Sequence, residues 1–125
     1  MKLQPLKGES HIGALFEHKG VSSLKGSKWM WVKFLTHIGT DPQKKGFYAA
    51  VSVSKRKFPR AVDRNRIKRQ MKAALSDSLA PVEGIKHEVH SLWVFRKNTF
   101  PSYEELLQES NELTKALFNS LADES

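Results

Sequence analysis

One stretch of the chain is both its most charged and one of its most regularly apolar. Residues 55–72 hold nine basic side chains, Lys55, Arg56, Lys57, Arg60, Arg64, Arg66, Lys68, Arg69 and Lys72, and one acid, Asp63. With 21 Lys plus Arg and 13 Asp plus Glu in all, the other 107 residues carry twelve of each sign, so the formal excess of +8 sits entirely here. From about Arg60 to Leu79 the apolar residues Ile67, Met71, Ala74, Leu75 and Leu79 recur at helical spacing, and Pro81 and Gly84 end the run. A helix that is apolar along one edge and cationic around the rest must lie on another layer by that edge and keep its other sides in water. Like charges three and four residues apart repel by about 0.2–0.5 kcal/mol per pair in isolated helices. No run of acids relieves them, so a polyanionic partner is expected. The planar fork of Arg matches phosphate oxygens, which makes phosphate the natural ligand, against the alternative of a merely solvated face.

Around this helix the pattern predicts an α+β domain. Ile12, Leu15 and Phe16 suggest a short helix over residues 8–19 that stops at Gly20. Val21 to Leu24 and Lys28 to His37 read as strands; in the second, Met30, Val32 and Phe34 face the core while Trp29, Trp31 and Lys33 face away. The turn GTDPQKKG leads into an apolar strand, Gly46 to Ser54, expected to pair with its predecessor as a hairpin. His90 to Arg96 is a further strand in which Trp93 and Phe95 are core. Pro101-Ser102 opens a last helix, with Ser102 and Glu105 spaced as a capping box. Tyr103, Leu106, Leu107, Leu113, Leu117 and Leu121 give that helix its buried face, and Glu104, Glu105 and Glu109 favour its N-terminal dipole. The order α, β, β, β, α, β, α implies helices against a mainly antiparallel sheet.

Much is excluded. The chain has no cysteine, which removes disulfides, thiol catalysis and Cys-based metal sites and suits a reducing compartment. No signal sequence or membrane span is evident, so a cytoplasmic single domain over residues 1–125 is expected, with short flexible ends at about 1–5 and 122–125. His87 and His90 lack surrounding ligands and read as surface histidines. Asp63, Asp77 and Glu83 are too isolated for a two-metal nuclease, and Asp63 is expected to cap or salt-bridge within the basic helix. No catalytic residue, protein metal ligand or protein-bound cofactor is expected.

Ser52-Val53-Ser54-Lys55-Arg56, followed by Ala61-Val62-Asp63-Arg64-Asn65-Arg66-Ile67-Lys68-Arg69, closely resembles the RNR signature of the bacterial ribonuclease P protein family. The resemblance covers nearly the whole chain, from the helix near Phe16 to the terminal Tyr-Glu-Glu-Leu helix. It implies a two-layer α/β sandwich similar to ribosomal protein S5 domain 2, with a left-handed βαβ crossover between the last two strands. It also implies an endonuclease subunit that binds a catalytic RNA and the 5′ leader of precursor tRNA, while the RNA, using magnesium held mainly on its own phosphates, performs the hydrolysis. By position, Lys55, Arg56, Arg60, Arg64, Asn65, Arg66, Lys68, Arg69 and Lys72 correspond to the surface that contacts the catalytic RNA. Ile12, Phe16, Trp29, Trp31 and Lys33, with Arg64 and Asn65, correspond to the leader cleft. Exposed aromatics stack on unpaired bases without reading sequence, which suits a variable leader. No membrane and no obligate protein partner is implied. Ile12 stands where the family often has an aromatic, and Ala50 where it often has Gly. Two other readings share these features: a structural RNA binder of ribosomal type, and a protein-only hydrolase.

Overall fold

The structure, a computed structural model, describes residues 1–6, 21–37 and 44–123. The helix expected over 8–19 and most of the turn at 39–46 lie outside them. The strands are β1 (Leu3–Pro5), β2 (Ser22–Lys25), β3 (Met30–His37), β4 (Gly46–Ser52) and β5 (Glu88–Phe95), and the helices are α1 (Ala61–Leu79) and α2 (Tyr103–Asp123). They form one five-stranded sheet in the order β1-β4-β5-β3-β2.

The expected hairpin does not form. β5 lies between β3 and β4, antiparallel to β3, with Val32 opposite Trp93, and parallel to β4, with Val51 opposite Trp93. The reason is written in β5: Val89, His90, Ser91, Leu92 and Trp93 are all buried, so this strand needs cover on both faces and a neighbour on both edges. α1 is the crossover that brings the chain back parallel to β4. The sheet is therefore mixed rather than mainly antiparallel, with β1–β4 and β4–β5 parallel and β2–β3 and β3–β5 antiparallel. Residues 3–5, expected to be part of a loose end, instead form the edge strand β1, and the Leu6 N–H extends its pairing by donating to the Ala49 carbonyl at 3.0 Å.

Both helices cover one face of the sheet. Ile67, Met71, Leu75 and Leu79 of α1 and Leu106, Leu117 and Leu121 of α2 close over Met30, Val32, Phe34, Phe47, Trp93 and Phe95. Each such side chain contributes about 1.5–3 kcal/mol by leaving water. The helices are joined by a Ser78–Ser110 hydroxyl pair at 2.9 Å, and the Tyr103 hydroxyl donates to the Asp77 carboxylate. Burial pushes the Tyr103 phenol up to about 12, helped by that hydrogen bond and by repulsion between phenolate and carboxylate. The Ser102 hydroxyl accepts the Glu105 N–H at 3.2 Å and donates to the Glu105 carboxylate at 3.1 Å, a cap closed through side chains.

The second face of the sheet carries a smaller cluster, Leu6, Leu35 and Leu92, flanked by half-buried Tyr48, Ala50 and Val94. His90 belongs to this face and is not the surface histidine expected. It is 5% exposed, its Nε2 lies 2.6 Å from the Glu88 carboxylate, and the Tyr48 ring meets it edge-on, because it falls within the continuously buried run Val89 to Trp93 of the central strand.

Candidate nucleic-acid interface

α1 presents its charges as its sequence pattern demands. Ile67, Met71, Ala74, Leu75, Ser78 and Leu79 are buried, whereas Arg60, Asn65, Arg66, Arg69 and Lys72 are exposed and Arg64 and Lys68 are half-buried. Val62, Asn65, Lys68, Arg69 and Lys72 line an open groove along the helix. Among the described residues the one ion pair within this block joins Arg60 to Asp63 at 3.9 Å, so Asp63 does salt-bridge inside the helix as expected. No other cation of the block is paired with a described acid.

The connection from β4 to α1 brings Lys55, Arg56 and Lys57 to the start of that helix. Its anchor is Phe58, 5% exposed, which packs on Phe95 and Phe100 with ring centroids 6.0 and 5.3 Å away. Arg64 closes the connection from the helix side: its Nη1 donates to the carbonyls of Phe58 and Pro59 at 2.9 and 2.8 Å. Lys57 reaches across to donate to the Arg96 carbonyl. Lys55 and Arg56 remain exposed beside it.

Trp31 and Lys33 lie together on the face of the sheet away from α1 and α2, where the strand alternation put them. Trp31 is held between cations, with Lys25 Nζ 5.3 Å and the Arg96 guanidinium 4.5 Å from its ring. Register explains the grouping: Lys25 pairs with Trp31, which pairs with Val94, which pairs with Ser52. Lys25 and Arg96 could not be placed beside Trp31 from sequence, since only strand pairing brings them there. Ile12 and Phe16, expected to complete the cleft, lie outside the described residues, and Arg64 and Asn65 sit on α1, on the other side of the sheet.

Trp29 parts company with Trp31. It precedes β3, is 5% exposed, stacks on Phe95 at 5.8 Å, and donates its indole N–H to Glu105 at 3.2 Å. The alternation fails because residues 26–29 form a bend, closed by the Gly26 N–H donating to the Met30 carbonyl at 2.8 Å. The Glu109 carboxylate holds that bend. It accepts the backbone N–H groups of Lys28, Trp29 and Met30 at 2.5–2.9 Å and the Ser27 hydroxyl at 3.0 Å. Gly26 is required there, because a Cβ would come 2.5 Å from that carboxylate. Glu109 is thus a buried structural acid, 2% exposed, and not only a helix-dipole charge. Its signal was its place on the leucine stripe, three after Leu106 and four before Leu113.

On the α2 side, Glu105 accepts from Ser102, Trp29 and Lys28. The Ser102 hydrogen bond, with the Lys28 charge and the Trp29 bond, holds its carboxyl below the usual range. Among the described residues no group of three or more His, Asp or Glu side chains converges to hold a metal ion. None of the described helices is long and apolar enough to cross a membrane.

The family model described as Ribonuclease P matches residues 2–117. No curated protein sequence matches the chain. The ribonuclease P protein of Staphylococcus aureus is similar in structure, with a TM-score of 0.67 and 16% identity over 90% of this chain and 94% of that one. A mutant of the same protein with defective mRNA degradation activity gives 0.67 and 15% over 90% and 86%. The Thermotoga maritima ribonuclease P protein gives 0.64 and 14% over 88% and 94%. At such identities these likenesses speak for the fold, which is the expected α/β sandwich.

Proposed function

From the premise that this chain belongs to the ribonuclease P family and is a protein component of that enzyme, we propose that it binds the catalytic RNA through the exposed cations of α1 and the preceding connection, and assists removal of the 5′ leader from precursor tRNA. The observation that carries this reading is that, Arg60 apart, no cation of the block is paired with a described acid. Such a surface is matched by phosphate. Lys55, Arg56, Arg60, Asn65, Arg66, Lys68, Arg69 and Lys72 act in the RNA contact. Arg64 shapes the connection through its two carbonyl bonds and offers its remaining N–H groups.

The leader lies across the opposite face of the sheet, on Trp31 and Lys33. Because Lys25 and Arg96 flank the indole, the unpaired strand meets an aromatic already dressed with cations, which holds phosphates and bases in one place. The chemistry belongs to the RNA subunit. In this reading the magnesium that the reaction needs is held mainly on RNA phosphates.

The test is to incubate the full chain with precursor tRNA, with and without the catalytic RNA, at low magnesium. Stimulated cleavage in the mixture alone is expected. Cleavage by the protein alone, or RNA binding without any effect on cleavage, would contradict the reading.

A further inference from the structure

A second aromatic platform stands beside α1, away from Trp31. Among the described residues only two large apolar side chains are exposed, Val62 at 58% and Phe100 at 45%. Phe100 belongs to the segment between β5 and α2. Its ring is supported by buried Phe58, centroid to centroid 5.3 Å and tilted by 56°, and the Arg66 guanidinium stands 4.9 Å over it. Pro101 behind it is buried, which fixes the segment, and exposed Lys97 lies three residues before it. An aromatic left nearly half in water, braced from beneath and covered by one cation of a phosphate-seeking helix, is poorly explained as core.

Resting on the reading that α1 meets the catalytic RNA, we propose that the Phe100–Arg66 pair takes one unpaired nucleotide of that RNA, the base stacking against the pair while Arg66 and Lys97 meet its phosphate. The occupant is chosen by charge: the Arg66 guanidinium stands over the ring, exposed Lys97 is three residues away in sequence, and the neighbouring helix belongs to the most cationic part of the chain. A guanidinium held on an aromatic ring is itself a flat surface on which a base stacks. One such stack is worth roughly a tenfold change in affinity and releases no counterion of its own.

The experiment measures affinity of the full chain for its catalytic RNA across a salt series, with thermal melting as the check on folding. Phe100→Leu, which keeps an apolar cover on Phe58, is expected to weaken binding roughly tenfold with the salt slope unchanged, while Phe100→Trp binds at least as tightly as wild type. Wild-type affinity of folded Phe100→Leu overturns the proposal and leaves the patch to a protein partner. A loss accompanied by a shallower slope also overturns it, since Phe100 would then only place the charge of Arg66. If Leu unsettles the fold, Phe100→Trp and Phe100→Tyr decide: tenfold weaker binding by both, in folded protein, contradicts stacking. A Lys68→Ala/Arg69→Ala chain separates the two readings, because unchanged affinity there refutes the α1 interface itself.

Discussion

At the scale of single residues, Glu109 and Trp31 show how one side chain commits a neighbourhood. Glu109 collects three backbone N–H groups and a hydroxyl in a buried bend. Glu109→Ala leaves those donors without an acceptor, and we expect a loss of about 2–4 kcal/mol in urea unfolding; a loss below about 1 kcal/mol would show that the bend stands without it. Trp31 is half-buried between Lys25 and Arg96. Trp31→Ala is expected to lower holoenzyme affinity for leader-bearing precursor more than for mature tRNA, by about 1–3 kcal/mol for a lost stack. Equal losses for both substrates would remove Trp31 from the leader path. Trp29 teaches the complementary lesson. Its residue type and its spacing from Trp31 were the same as those of a strand-face aromatic, and only the Glu109-held bend, a contact spanning 80 residues, turns it into the core.

At the scale of elements, α1 was legible because its two properties reinforce each other: an apolar stripe sets which side is buried, and the cations occupy what is left. The double change Arg66→Ala/Arg69→Ala lies off that stripe, so we expect weakened binding of the catalytic RNA with an unchanged melting temperature. Unchanged affinity in the folded variant would exclude these arginines from the interface. The α1–α2 seam supplies a pH test. Tyr103 has a folded value near 12, above the ordinary 10.0, so the native state holds its proton more tightly than the unfolded chain. Its stabilising effect is complete below about pH 10 and is lost as pH rises toward 12. Tyr103→Phe is therefore expected to flatten the fall of stability between pH 10 and 12; an identical fall in the variant would assign it to other groups. What was not legible at this scale was strand order. Alternation in β3 and β4 allowed a hairpin, and nothing local in either strand says that β5 comes between them. The polar His90 and Ser91 between Val89 and Leu92 hide in the sequence that this stretch of β5 is buried on both faces. The three residues of β1 are too few to carry a period at all.

At the scale of the whole molecule, a sheet separates two surfaces of different character. One side is covered by α1, whose outer face is cationic, and by α2, whose exposed charges are mainly acidic; the other carries Trp31 among cations, on the same face as the buried Leu35 and Leu92. The resemblance of the Ser52–Arg69 region pointed to both surfaces, and the family match over residues 2–117 establishes the membership. Which residues share a surface is a different matter, because Arg64 and Asn65 belong to the helical side and Trp31 and Lys33 to the other, a distinction that only the assembled sheet makes. The central claim is that the α1 side meets RNA through phosphates. It is tested most directly by the affinity of the protein for the catalytic RNA as a function of salt. If about six basic groups engage phosphates, the logarithm of affinity falls against the logarithm of salt concentration with a slope of about −4 to −5. A slope near zero would contradict the account.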